Sequence, residues 1–577
     1  MRLDPARFDE WFRALTGMAA PQGPFPWQRR LFREWLCPQQ PAGARWPSLV
    51  QLPTASGKTA LIDLAVLALA AGSPCARWRI AFVVDRRVVV DEAHRRAEAI
   101  AQRLRDAVDS PGDPLREVAE ALLVLGGEQP LVVAALRGGI PGDDAWARSP
   151  AQPAVVLSTV DQVGSRLLFR AYGGHGPRSW PIHAGLLGRD TVIIVDEAHC
   201  AAPFCQTAQT ITERWQSFGE QRVGADLTLV RMSATPSEEP DFALDQADRS
   251  CELLSRRLCA AKPAVLVPVE AAARDHRRPL VRTLVERAQA LLDSGPPGVV
   301  AVVVNRVADA RAVFEVLHIP AKRKVLLTGR VRGWERDGLL RRWLPRLQAG
   351  CREETSEPLA VVATQCIEVG ANLDFDALVT EVAPLDALRQ RFGRLNRLGE
   401  RPVARAVIAA TSRQTAMDKD GAAAEADPVY CQALCRTWAW LCAHAHGDPP
   451  SIDLGIDALE DVLPEGDDLS VLCQDARTAY TLLPAHLDLL AQTSPSPQPD
   501  PEISAFLHGT TQSSPDVTVV WRADLAEGNP DVWADRVAVQ PPAAGEGCAV
   551  PVWEFRRWLA GLAASPAEMG DVEGTPA

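Results

Sequence analysis

The residues Pro53-Thr54-Ala55-Ser56-Gly57-Lys58-Thr59 place a glycine, a lysine and a threonine after a short run of small side chains, and the apolar stretch Ala60 to Ala71 follows at once. Small residues let backbone N–H groups curl round the phosphates of a nucleotide such as ATP. A lysine can reach the β- and γ-phosphates, a hydroxyl can hold Mg²⁺, and the positive end of a following helix faces the anion. Gly57, Lys58 and Thr59 meet these needs in order, with Thr54 and Ser56 in the cradle. A full G-x-x-x-x-G-K-[ST] pattern would put glycine where Leu52 stands, so the match is partial. Upstream, Phe25-Pro26-Trp27-Gln28 could read adenine, with Gln28 on the base edge beside an aromatic ring. The same residues also suit the start of an amphipathic helix.

Two D-E-A-H sequences, Asp91 to His94 and Asp196 to His199, compete for the metal and water site. That chemistry needs carboxylates at the tip of a buried parallel strand, where Asp196 can hold Mg²⁺ together with Thr59 and Glu197 can orient the attacking water. Asp196 follows the β-branched run Thr191 to Val195, which reads as such a strand. Asp91 instead opens a stretch in which Val90, Ala93, Ala97, Ile100, Ala101 and Leu104 recur at helical spacing, so the first copy is expected in a helix. A further strand, Leu227 to Met232, delivers Ser233-Ala234-Thr235. Arg86, Arg87, Arg137, Gly138, Thr159, Asp161 and Gln162 lie just past strand-like segments. Ligands of open α/β sheets bind at those strand ends, which makes these residues candidates for phosphate contacts to a nucleic-acid strand.

These elements must be carried by a long chain. At 577 residues, 47% of them apolar and 23% charged, it is expected to fold as several globular domains. No stretch reads as an export signal or a membrane span, and 13 scattered cysteines fit a reducing cytoplasm. The net charge of −12 is unevenly spread. From Thr415 onward there are 26 Asp/Glu against 7 Lys/Arg, and before it 47 against 54. The acidity belongs to the last third; the remainder could carry a basic face for phosphates or merely a solvated one.

P-T-x-S-G-K-T, V-D-E-A-H and S-A-T-P in this order resemble the first RecA-like domain of a superfamily 2 helicase. A second such domain follows. Val299 to Val304 leads into Asn305 and Arg306, and Leu326-Leu327-Thr328-Gly329-Arg330 forms another strand and turn. Ala360 to Thr364 leads into Gln365 to Asp374, and Gln390-Arg391-Phe392-Gly393-Arg394-Leu395-Asn396-Arg397 resembles the closing arginine-finger sequence. The runs V-D-R-R-V-V-V-D-E-A, T-Q-C-I-E-V-G-A-N-L-D-F-D and Q-R-F-G-R-L-N-R-L-G together resemble the helicase subunit of type I CRISPR systems. Asp516 to Leu525 and Phe555 to Leu559 are similar to the C-terminal domain of the branch formerly called I-U.

The resemblance implies an α/β fold of two tandem RecA-like domains with parallel sheets and a smaller C-terminal domain. The expected boundaries are 1–245, 246–412, a linker at 413–428, and an acidic accessory domain at 429–577 with a disordered tail. It also implies that Gln390, Arg394 and Arg397 complete the ATP site, with the last two as fingers. His199, Ser233, Thr235, Gly370, Asn372 and Asp374 would couple hydrolysis to strand movement, and Asn305, Arg306, Thr328 and Thr364 would touch the strand. The product would be ATP-driven 3′ to 5′ movement along single-stranded DNA for a guide-RNA surveillance complex. None of the ten histidines is followed by aspartate. The HD nuclease of this family is therefore expected on a separate partner. A DNA-repair or RNA helicase, and an ATP-gated nucleic-acid clamp that does not unwind, remain open alternatives.

Overall fold

The structure is a computed structural model that describes the chain apart from residues 1–2, 19–21, 85–86, 137–144, 174–175, 216–223, 235–237, 272–276, 295–297, 351–356, 369–371, 419–426, 428–429, 475–476, 511–515, 526–528, 530–531, 544 and 562–577, and apart from the side chains of 87–89, 145, 215 and 294. Two compact units account for it. The first comprises 1–255 and 476–511, the second 256–475 and 512–577, so the chain passes from one unit to the other three times.

The first unit is built on a seven-stranded parallel sheet of β1 Leu49–Gln51, β2 Arg79–Val84, β3 Val132–Leu136, β4 Ala154–Thr159, β5 Thr191–Val195, β6 Thr228–Ser233 and β7 Phe242–Ala243, in the order β3-β4-β2-β5-β6-β1-β7. Its strands read as continuous apolar runs because both faces are covered. Along β2, Ile80, Phe82 and Val84 join one core while Ala81 and Val83 join the other, as the two-residue period of a strand requires. All ten residues of the helix Leu61–Ala70 are buried, which explains why it is apolar apart from Asp63, whose carboxylate accepts from Arg96 at 2.9 Å. The first D-E-A-H lies inside the helix Arg87–Val108, as its spacing predicts.

Residues 476–511 belong to this first unit. Leu482, Leu490, Ile503, Phe506 and Leu507 enter the core beneath β2, β4 and β5, and the Thr207 hydroxyl donates to the Phe506 carbonyl at 2.6 Å.

The second unit repeats the plan with β8 Pro263–Val269, β9 Val299–Val303, β10 Lys324–Leu327, β11 Leu359–Ala363, β12 Ala377–Glu381, β13 Arg405–Thr411 and β14 Ser451–Asp453, in the order β10-β11-β9-β12-β13-β8-β14. All its pairings are parallel except β14 with β8. A hairpin of β15 Asp516–Val520 and β16 Gly547–Pro551 follows, with the helix Val552–Leu559. The acidic region expected as one accessory domain is thus shared between the two units. The expected linker begins with a helical turn, Ser412–Thr415. Among the described residues, no helix is long and apolar enough to cross a membrane.

Candidate nucleotide site

The strand order brings the ends of β5, β6 and β1 side by side. The loop after β1 carries Lys58, the turn after β5 carries Asp196 and Glu197, and Ser233 ends β6. Three stretches far apart in the sequence therefore converge at the carboxyl edge of one sheet, the edge where open α/β sheets bind ligands.

The loop is shaped by two left-handed residues, Ala55 at φ 63° and Gly57 at φ 85°. The hydroxyl of buried Ser56 donates to the Pro53 carbonyl at 2.7 Å and closes the turn. Trp27, itself buried, donates its indole N–H to the Ser56 carbonyl at 3.0 Å from the other side. Leu52, which stands where the fuller pattern has glycine, is completely buried in the core, and its N–H donates to the Ser233 carbonyl at 3.3 Å. At that position this loop continues the strand and does not need a left-handed turn. Thr54 and Thr59 are half-buried around the loop.

Glu197 also lies in the left-handed region, at φ 48° and ψ 55°. That conformation is unfavourable for a side chain with a Cβ and turns the carboxylate sharply out of the strand direction. Its Oε1 contacts the Lys58 ammonium, while Asp196 Oδ1 lies 3.8 Å from that ammonium and accepts from the Glu197 N–H at 3.1 Å. These side chains are only 5–13% exposed, so their charges act in a poorly solvated pocket. His199 Nδ1 sits 3.2 Å from the Ser233 hydroxyl and 3.7 Å from Glu197 Oε2. The two D-E-A-H and S-A-T residues expected to communicate are therefore in contact. Thr235 lies outside the described residues.

Gln28 is buried, and its Oε1 accepts from the Phe25 N–H at 2.8 Å, capping its own short helix. This is the helix-start use the sequence also allowed. Its Nε2 nevertheless sits against the loop, 3.4 Å from where a Cβ on Gly57 would be.

In the second unit, Arg391 is fully buried and was not singled out in the sequence. Its guanidinium donates to Glu368 Oε1 at 2.8 Å, to Thr380 Oγ1 at 2.7 Å, to the Glu381 carbonyl at 3.0 Å and to Asn305 Oδ1 at 2.7 Å. Arg394 is also buried and donates to the carbonyls of Ile367 and Glu368 at 3.3 and 2.9 Å. The Arg397 N–H donates to Asp374 Oδ1 at 2.7 Å. Gln390 is buried in the same helix, Leu385–Phe392. The arginine sequence is thus joined to the Gln365–Asp374 segment at three points. Asn372 is half-buried there, its carbonyl accepting from the Ala349 N–H at 2.9 Å, and Gly370 lies outside the described residues.

The residues expected to touch a strand fall into three groups. Asn305, Thr328 and Thr364 are buried, as are Thr159 and Gln162. Asn305 donates to the Val382 carbonyl at 2.8 Å, and Gln162 Oε1 accepts from Arg166 at 2.6 Å, so both brace their own unit here. Arg306 is 3.6 Å from Asp427, and exposed Asp161 bonds His508 of the 476–511 segment at 2.7 Å. Arg86 and Arg137 and the side chain of Arg87 lie outside the described residues.

Residues 297–400 match the family model described as CRISPR-associated nuclease/helicase Cas3, C-terminal. The chain resembles the Cas3-type CRISPR helicases. A 49-residue stretch is 43% identical to a CRISPR-associated nuclease/helicase Cas3 of Methanocaldococcus jannaschii, covering 8% of this chain and 7% of that relative. The crystal structure of T. fusca Cas3 with AMPPNP aligns with a TM-score of 0.56 at 16% identity, over 95% of this chain and 66% of that one. The crystal structure of a CRISPR-associated protein aligns with a TM-score of 0.54 at 17% identity, over 98% of this chain and 67% of that one. The fold is that of two tandem RecA-like domains, and the chain spans about two thirds of the length of these two structures.

Proposed function

We propose that the chain is an ATP-driven translocase on single-stranded DNA, serving type I CRISPR interference with a separately encoded nuclease. The observation that carries this reading is the convergence of Lys58, Asp196 and Glu197 at adjacent strand ends. The helicase fold and the Cas3 neighbours with AMPPNP, ADP and ATP support the choice of nucleotide.

Lys58 binds the β- and γ-phosphates, which compete with Glu197 for its ammonium. Released from that contact, the Glu197 carboxylate orients the attacking water. The oxygen donors Thr59 and Asp196 suit a hard cation, and Mg²⁺ held there would neutralise charge on the phosphates. Arg394 and Arg397 act on the transferring phosphoryl group from the second unit, a contribution of about 10³ to 10⁵ in rate for such fingers. Arg394 then exchanges its carbonyl partners at Ile367 and Glu368 for phosphate oxygens, which transmits nucleotide occupancy to the Gln365–Asp374 segment. The partner is a guide-RNA surveillance complex, and the working compartment is the cytoplasm.

The test is ATP turnover with single-stranded DNA, RNA or neither, alongside displacement of an annealed strand. Stimulation by DNA with ATP-dependent displacement is expected. Preferential stimulation by RNA overturns the DNA assignment, and turnover without displacement favours a clamp.

A further inference from the structure

Lys262 stands outside every sequence discussed above, at the entry to β8. Burial of a lysine is uncommon unless its ammonium is engaged. Here the residue is 2% exposed, and its Nζ donates to the Phe392 carbonyl at 2.8 Å. Phe392 is the last residue of the helix Leu385–Phe392, where the macrodipole favours a cation, and its carbonyl accepts both from Lys262 and from the Leu395 N–H of the following turn at 3.1 Å. The next residues are Gly393 and Arg394.

The lysine is itself held firmly. Its N–H donates to Asp453 Oδ1 at 2.7 Å, its carbonyl accepts from the Leu454 N–H at 3.2 Å, and Ala261 beside it bridges to Val403. The turn after Phe392 is also pinned by Phe375, whose N–H donates to the Arg394 carbonyl and whose carbonyl accepts from the Asn396 N–H, both at 2.8 Å.

We propose that Lys262 is a positioning residue for the arginine sequence, its ammonium fixing through the Phe392 carbonyl the backbone from which Arg394 and Arg397 project. The inference rests on the ATPase reading above and adds a residue to it. The charged groups facing the ammonium are Asp374, Asp453, Arg394 and Arg397. Burial outweighs the two carboxylates and lowers its pKa from 10.5 to about 8. The ammonium therefore loses its proton, and the cap its charge, within the range in which an enzyme can be assayed. Stability moves the other way. Because folding lowers this pKa, the unfolded chain holds the proton more tightly, and the contribution of Lys262 to stability rises between about 8 and 10.5.

The experiment compares Lys262→Met, Lys262→Arg and the unaltered full chain in DNA-stimulated ATP turnover from about pH 6.5 to 9.5, with thermal melting of each. In Lys262→Met, kcat is expected to fall about 10²-fold, the effect of a misplaced catalytic group, with KM for ATP nearly unchanged. Lys262→Arg keeps its charge and recovers part of kcat. The unaltered chain loses kcat as pH rises through about 8 without losing stability, and the Arg variant does not. A folded Met variant with unaltered kcat overturns the proposal, as does an alkaline decline shared by the Arg variant. Should the Met variant fail to fold, the pH profile of the Arg variant decides. Loss of turnover in Lys58→Ala and Arg394→Ala but not in Lys262→Met overturns this inference alone, whereas turnover surviving in Lys58→Ala overturns the ATPase reading with it.

Discussion

Glu197 joins an unfavourable backbone conformation to a nearly buried carboxylate in contact with Lys58. Such outliers persist only where the surroundings over-determine them, and they concentrate at working sites. Glu92 occupies the same place in the other D-E-A-H, but on a long helix without that geometry. Glu197→Gln is expected to lower DNA-stimulated ATP turnover by about 10²-fold or more, the scale of lost base catalysis, while Glu92→Gln leaves it unaltered. Equal losses in a turnover assay would assign the wrong copy. That one copy follows a strand and the other lies in a helix was legible in the sequence, because a β-branched run and a 3.6-residue period are different signals. Leu52 was legible only as a departure, since that it faces a core depends on which strands flank β1. Lys262 was invisible, as burial of a lysine leaves no local trace.

At the scale of elements, one side chain of the helix Leu385–Phe392 bonds three neighbouring segments of its sheet. Arg391 gathers β12, the turn after β9 and the segment after β11 onto one guanidinium, and Asn305 in turn accepts, through its carbonyl, from Gln365 Nε2 at 2.9 Å. Arg391→Lys removes the planar fork that makes these bonds together and leaves buried acceptors without donors. It is expected to destabilise the second unit by about 1–3 kcal/mol for each buried acceptor left without a donor, measured by denaturant titration. Here the sequence was read unevenly. The central strands declared themselves as apolar runs, and the arginine sequence by its spacing. The different partners of its arginines did not, because Arg391 and Arg394 are the same residue type until the sheet is assembled.

Across the whole molecule, the acidic last third resisted reading. Its composition suggested a separate accessory body, yet β14 extends the second sheet and residues 476–511 complete a core of the first unit. The signal was weak because Leu482, Leu490, Ile503, Phe506 and Leu507 are scattered among prolines and polar residues, and only long-range packing gathers them. This path has a practical corollary. Suppose a protease site is inserted within residues 419–426 and cut. The downstream piece still supplies an edge strand to one unit and a plug of leucine and phenylalanine to the other, so the nicked protein is expected to elute as one species on gel filtration and to part only in denaturant. Fragments that separate in native buffer would contradict it. The C-terminal quarter is a stitch, a thread that runs along the sheet edge of one body and through the core of the other.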